Sequence, residues 1–264
     1  MSNAPARAVP AATILLLRGD HSVLEVFMVV RHHQIDFASG ALVFPGGKVD
    51  PQDEDPALAD FCDGASADSA TRAIQVAAIR EAYEECGVLL ARAAGESRLI
   101  AGARLADLEP FRDRINGGKI TFKEFLKQQN VRLACDQLVP FAHWITPEMM
   151  PKRFDTYFFI ADAPSDQVAL HDGHESVDSV WISPTDALAG AASGKYTVIF
   201  PTLRQVEKLG HAQSPADAVA RARRSPIVTV TPWTEQRADG QYLCIPIEAG
   251  YDVSEEKMPA RPAR

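Results

Sequence analysis

Cysteine is scarce: four in 264 residues, at positions 62, 86, 135 and 244, with no C-x-x-C pair. That spacing argues against a disulfide framework or a zinc site and fits reduced thiols in a cytoplasm. Long apolar runs are missing too. No stretch approaches the ~20 residues that span a bilayer, and the opening MSNAPARAVPAA has no apolar core of a signal peptide. The expectation is a cytoplasmic protein without a membrane partner. Positive charge is in deficit, with 27 Lys+Arg against 35 Asp+Glu and a net charge of −8. Proteins that grip a nucleic-acid backbone carry a basic surplus, so no nucleic-acid partner is expected. A small polyphosphate stays open, because local charge can differ from net charge. Other signatures are absent as well. SGKYT (193–197) lacks the spacing of a phosphate-binding P-loop, and there is no G-x-S-x-G elbow or G-x-G-x-x-G turn.

What is present is ordinary globular material, 46% hydrophobic and 23% charged, long enough to bury a core unaided. TILLLR (13–18) and VLEVFMVVR (23–31) read as a strand pair across the turn GDHS, and ALVFPGGKVD (41–50) as a strand entering a Pro-Gly-Gly turn. The acidic stretch 50–68 reads as a surface loop with room for one helical turn, its acids a solvated face. From Ser69 to about Ala93 the period is helical, with Ile79, Ala82, Tyr83, Cys86 and Leu90 on one stripe. Helices are expected at 104–115 and at 121–130 behind the cap Thr121. Strands follow at 137–145, 154–162 and 178–183, then a helix at 183–191. Further helices at 202–210 and 215–224 precede a strand near 227–231. The end SEEKMPARPAR shows no core pattern and reads as disordered.

Within AIREAYEECGVLL (78–90), Glu81, Glu84 and Glu85 fall in one arc of roughly 100° on a helical wheel. A solvated face is the plain reading. Two details oppose it: no Lys or Arg follows three or four residues on to pair with these acids, and Gly87 interrupts the helix directly after them. A divalent cation would reconcile the three charges, because magnesium prefers a few carboxylates plus substrate phosphates.

These residues resemble a known pattern. REAYEECGV (80–88) is similar to the second half of the Nudix box, R-E-U-x-E-E-x-G-U, and FPGGKVD (44–50) to its first half. The box is interrupted. Its first glutamate would fall on Asp53 counting from Gly47, and 26 residues, 54–79, then separate Asp53 from Arg80. Such an interrupted box resembles the coenzyme A and acyl-CoA diphosphatases of the peroxisomal type. RHHQIDFASGALVFPGGKVD (31–50), HWITPEMMPKRFDTYFFIA (143–161) and HESVDSVWISPTDAL (174–188) extend the resemblance.

The resemblance implies an α/β Nudix fold, an α/β/α sandwich around a mixed sheet. The expected organisation is a flexible 1–11, one domain over 12–250, and a tail at 251–264. An insertion at 54–72 and helical additions at 95–130 and 195–225 complete it. It implies hydrolysis of a pyrophosphate in a nucleoside diphosphate derivative, coenzyme A or acyl-CoA first. ADP-ribose or another such substrate, or an inactive binding module, are the alternatives. By position, Glu81, Glu84 and Glu85 would be ligands of Mg2+ or Mn2+ with the Gly47 carbonyl, and Arg80 would orient them. Glu175 is the candidate general base. Arg31, Lys152, Arg153 and the arginines at 221, 223 and 224 are the candidate phosphate contacts, although Arg153 also suits a structural pair with Asp155 and the 221–224 group a helix C-terminus. Oligomeric state is left open.

Overall fold

The structure, a computed structural model, describes residues 6–31, 40–164, 167 and 176–258. Strands run in the order β1 (Val9–Gly19), β2 (Leu24–Arg31), β3 (Leu42–Val43), β4 (Gly46–Lys48) and β5 (Cys62–Asp63). Helix α1 (Ser69–Cys86) follows, then β6 (Ala91–Ala93), α2 (Gly102–Asn116), α3 (Phe122–Gln129) and β7 (Val131–Ala134). Next come β8 (Val139–Ile145), β9 (Phe154–Asp162), β10 (Ser176–Ile182), α4 (Pro184–Ala192), α5 (Phe200–Leu209) and α6 (Pro215–Arg224). Short strands β11 (Thr229–Val230), β12 (Trp233–Arg237), β13 (Gly240–Cys244) and β14 (Glu255–Lys257) close the chain.

The main sheet has the order β10-β2-β1-β9-β8-β11, with β3 on β2 and β4 on β1. The β1–β9 and β8–β11 pairs are parallel and the others antiparallel, so the sheet is mixed as expected. Strand β1 is central, and its run ILLL (14–17) supplies apolar groups to both faces rather than alternating with polar ones. On one face, Ala12, Ile14 and Leu16 pack with α1, α2 and α3. On the other, Leu15 and Leu17 pack with α4, α5 and α6. That division is the α/β/α sandwich. Two small three-stranded sheets, β5-β7-β6 and β12-β13-β14, flank it.

Local chemistry sets the helix ends. Asp68 caps α1 by accepting from the Thr71 N–H, and Gly87 ends it with φ 70°, a left-handed conformation that glycine adopts without steric cost. Thr121 caps α3 in a reciprocal capping box with Glu124, as its position suggests.

Two expectations are corrected. The stretch 50–68 is not wholly a solvated loop. It forms two 3-10 turns, Pro51–Glu54 and Pro56–Phe61, then β5, and Leu58 and Cys62 enter the core. Its acids meet bases distant in sequence: Asp55 pairs with Lys123 on α3, and Asp63 with Arg132 on β7 at 2.6 Å. Composition alone cannot reveal partners 68 or 69 residues away. The tail is likewise structured through residue 258. The Tyr251 hydroxyl accepts from Trp144 Nε1 at 2.8 Å, and β14 completes a sheet with β13. A strand of charged residues, EEK, shows no apolar alternation by which to recognise it.

Candidate functional site

Helix α1 lies across the sheet with Ile79, Ala82, Tyr83 and Cys86 in the core, as their stripe predicts. Its acidic arc is not solvated. The side chains of Glu81 and Glu84 are only 13% and 18% exposed, and Glu85 is buried. The basic partner absent downstream lies upstream. Arg80 Nη1 meets Glu81 at 2.9 Å and Glu84 at 2.8 Å, the latter one helical turn on.

Arg80 is itself fixed from the insertion. Its Nε and Nη2 donate to Asp53 at 2.9 and 3.0 Å, a two-pronged, charge-assisted contact, and Nη2 also reaches the Lys48 carbonyl at 3.0 Å. Asp53 is 2% exposed, and it also accepts from the Asp50 N–H at 2.8 Å, which closes the 3-10 turn around it. The residue at the displaced glutamate position thus holds the guanidinium that spreads over the acidic face.

Strand β4 completes the arrangement. The Gly46 N–H donates to Glu85 at 2.9 Å. A Cβ on Gly47 would stand 2.5 Å from Glu81 Oε1, so only glycine lets that carboxylate lie against the strand. Gly46 has φ 153°, and a Cβ there would stand 2.3 Å from the Ala12 carbonyl oxygen. The two glycines therefore serve different ends: one admits the carboxylate, the other the neighbouring strand.

Charge is unbalanced here. Asp53, Glu81 and Glu84 share the single guanidinium of Arg80. Burial pushes the Glu81 carboxyl up to about 7, opposed by Arg80 and reinforced by Glu84. Burial raises Glu84 as well, again against Arg80, and it raises Asp53 against the same cation. Burial alone would lower Arg80, but its bond to Asp53 and the charge of Glu81 outweigh that and hold it above its ordinary range. Among the described residues no three His, Cys, Asp or Glu side chains converge closely enough to enclose an ion. Glu81 and Glu84 instead converge on Arg80. The donor set, hard carboxylate oxygens carrying excess negative charge beside a glycine cradle, fits magnesium or manganese rather than a thiolate-seeking metal.

A cavity of about 890 Å³ opens beside these groups. Gly46, Gly47, Lys48, Arg80 and Glu81 line it at one side. Its floor crosses the sheet face away from α1, from Thr13 on β1 through Thr156 and Phe158 on β9 to Trp144 on β8. Sequence reasoning missed Lys48, Trp144 and the methionines of PEMMP; an apolar pair set among prolines and charges is the signal that was available there.

The other expected contacts are dispersed. Arg153 donates to the carbonyls of Thr146 and Ala6 at 2.9 and 2.8 Å, and neither it nor Lys152 lines the cavity. Asp155, its supposed partner, meets His143 instead at 2.5 Å. Arg221 pairs with Asp217 at 2.9 Å, and Arg223 and Arg224 sit in the last turn of α6, outside the cavity lining. Glu175 and the Arg31 side chain lie outside the described residues. All four cysteines are buried and none is joined in a disulfide, and no helix among the described residues is long and apolar enough to cross a membrane.

Comparison with known proteins bears on this geometry. The family model described as the NUDT19 Nudix domain matches residues 59–209. A putative nudix hydrolase 7 of Caenorhabditis elegans is 26% identical over 203 residues, 77% of this chain and 61% of that protein. The acyl-coenzyme A diphosphatase NUDT19 of Xenopus laevis is 25% identical over 227 residues, 71% of this chain and 60% of that protein. The chain thus spans about three fifths of the length of these relatives. A crystal structure of a NUDIX hydrolase from Alicyclobacillus acidocaldarius superposes with a TM-score of 0.68 at 26% identity, covering 81% of this chain and 96% of that one.

Proposed function

This chain belongs to the Nudix hydrolases of the NUDT19 type, and from that premise we propose that it hydrolyses the pyrophosphate bond of coenzyme A or an acyl-CoA. The observation that carries the reading is Glu81 on the acidic face of α1, largely buried yet laid past Gly47 into the wall of a cavity of substrate size.

Each residue has a definite task. Asp53 and the Lys48 carbonyl clamp Arg80, and Arg80 holds the carboxylates of Glu81 and Glu84 at fixed positions. Glu85, bonded to the Gly46 N–H, ties α1 to β4. Glu81, Glu84, Glu85 and the Gly47 carbonyl would hold Mg2+ or Mn2+. When bound, that cation offsets the charge of the pyrophosphate and acidifies a water. The water oxygen forms a bond to phosphorus as the bridging P–O bond breaks, and its proton passes to a base. Glu175 is our candidate for that base. Coenzyme A would yield adenosine 3′,5′-bisphosphate and phosphopantetheine.

A second reading, ADP-ribose or another nucleoside diphosphate derivative, has one observation in its favour. The 3′-phosphate of coenzyme A asks for a basic contact, and the described basic residues lining the cavity are Lys48 and Arg80, both on the pyrophosphate side. Assay of coenzyme A, dephospho-coenzyme A and ADP-ribose at equal magnesium and then equal manganese separates the two. Higher kcat/KM for the coenzyme A species supports the first reading. Clearly higher kcat/KM for ADP-ribose transfers the assignment to the second.

A further inference from the structure

The last turn of α1 carries Glu84 and Glu85, and the helix itself holds that turn least. The Gly87 N–H bonds to the Ala82 and Tyr83 carbonyls, and the Val88 N–H turns back to Ala82 at 3.2 Å. The Glu84 carbonyl is therefore passed over by the amide four residues on, as happens at a helix C-terminus. Its donors come from α2. Arg112 Nε donates to it at 2.9 Å and Asn116 Nδ2 at 3.3 Å. Arg112 is 9% exposed, and its Nη1 also meets Glu109 at 3.3 Å. A cation at this point complements the negative end of the helix dipole. Gly87 leaves room for it, since a Cβ there would stand 3.3 Å from Arg112 Nη1.

Glu84 is thus gripped twice, by arginines from different parts of the chain. Arg80 Nη1 holds its carboxylate at 2.8 Å, and Arg112 holds its backbone. The same helical addition reaches the other half of the interrupted box. The Phe122 N–H at the start of α3 donates to Gln52 Oε1 at 3.2 Å, and Lys123 pairs with Asp55. Gln52 stands beside Asp53 in the 3-10 turn that clamps Arg80. Between these two grips, the Tyr83 hydroxyl donates to the Leu108 carbonyl at 2.6 Å and its ring stacks on Phe125. Helices α2 and α3 therefore fasten the acidic helix and the turn before it to one another.

We propose that Arg112 is a positioning residue of the acidic site: it fixes the last turn of α1 through the Glu84 carbonyl, and so sets where the Glu84 and Glu85 carboxylates stand toward the cation. The inference rests on the reading of that face as a divalent cation site. Arg112 does not line the cavity and acts only through the helix it holds. Asn116, on the same carbonyl, assists it. Ligands are only as well placed as the groups that hold them, and loss of such a support costs about 10- to 100-fold in metal affinity.

The test uses Arg112→Met, which keeps the stem and removes the donors, Arg112→Lys, which keeps the charge, and Asn116→Ala at an exposed position where folding is not at issue. Mn2+ affinity is read by electron paramagnetic resonance without substrate, and kcat and KM are measured with coenzyme A at one fixed Mn2+ concentration. Arg112→Met should weaken Mn2+ binding about tenfold or more and lower kcat, with KM within about twofold of wild type. Arg112→Lys should recover part of both, and Asn116→Ala should weaken Mn2+ binding about threefold, the effect of one neutral hydrogen bond. Mn2+ affinity within about twofold of wild type in Arg112→Met, whatever its Tm, reduces Arg112 to fastening α2 and overturns the proposal. So does a rise in KM with kcat unchanged. Hydrogen exchange of the metal-free proteins gives a reading independent of any ligand. Faster exchange confined to the end of α1 in Arg112→Met supports the grip, and unchanged exchange there overturns it. If wild type binds no Mn2+, the cation reading itself fails, and the exchange data still decide whether Arg112 holds the turn.

Discussion

A single guanidinium, that of Arg80, holds three carboxylates around it, and the behaviour of each acid follows from that imbalance. Glu84→Gln and Glu85→Gln should each lower turnover by about two orders of magnitude or more, the scale on which single electrostatic groups act in catalysis, while near- and far-ultraviolet circular dichroism stay unchanged. Glu81 makes a different prediction. Its carboxyl is pushed up to about 7, from an ordinary 4.5, chiefly by burial. The folded state then binds a proton that the unfolded state releases between those values. Its stabilising contribution is complete below the ordinary value and lost as pH rises through 7. In metal-free protein that loss amounts to up to about 3 kcal/mol between pH 5 and 8. Glu81→Gln should flatten the dependence of Tm on pH across this window and raise Tm at pH 8. A parallel pH dependence in wild type and variant would contradict the burial of charge described here. The glutamate cluster itself was legible, because spacing and missing downstream bases are local facts. Its pairing with Asp53 was not, because that contact spans 27 residues of chain.

Strand β4 is only three residues long, yet it links the sheet to the acidic helix. Its two glycines answer to different constraints, and substitution separates them. Gly46→Ala sets a Cβ against the Ala12 backbone at a positive φ, where nothing flexible can yield, so it should cost more than about 2 kcal/mol and lower Tm. Gly47→Ala meets no backbone, only the carboxylate at the end of the Glu81 side chain, which can turn aside at the expense of its bond to Arg80. Its stability should hold within about 1 kcal/mol, the usual range away from packed backbone, while kcat falls as the carboxylate is displaced. Thermal unfolding and kinetics on the two purified variants check both halves of the contrast. At this scale the sequence was read well where period and caps are strong. Strand 154–162 and helix 215–224 lie as expected, and α3 starts behind Thr121. It was read poorly over 233–257, where β12 and β14 expose charged and polar side chains to water and carry little apolar period.

Across the whole molecule, two cores divide the work. The face bearing α1, α2 and α3 builds the acidic site, and the face bearing α4, α5 and α6 builds the floor and apolar end of the cavity. The C-terminal segment ties itself to the second. Tyr251 accepts from Trp144 and exchanges hydrogen bonds with Gln205, a fully buried amide, at 3.0 and 3.1 Å. Tyr251→Phe leaves both partners short of a bond and should cost about 1–3 kcal/mol, seen as a lower denaturant midpoint with unchanged slope. No change would mean that the segment merely rests on the surface. The mixed sheet and its two helical layers were foreseeable from the Nudix-like motifs. The cavity was not, because its lining is gathered from eight or more separated stretches of chain, none of which carries the pattern alone.

The central claim is that the acidic face of α1 holds a divalent cation beside the cavity. Electron paramagnetic resonance of Mn2+ titrated into wild type and into a Glu81→Gln/Glu84→Gln double variant tests it without reference to any substrate. The account predicts that wild type quenches the free Mn2+ signal with saturable, magnesium-competed binding, and that the double variant loses that binding while keeping its fold. Undiminished Mn2+ binding by the folded double variant would contradict it.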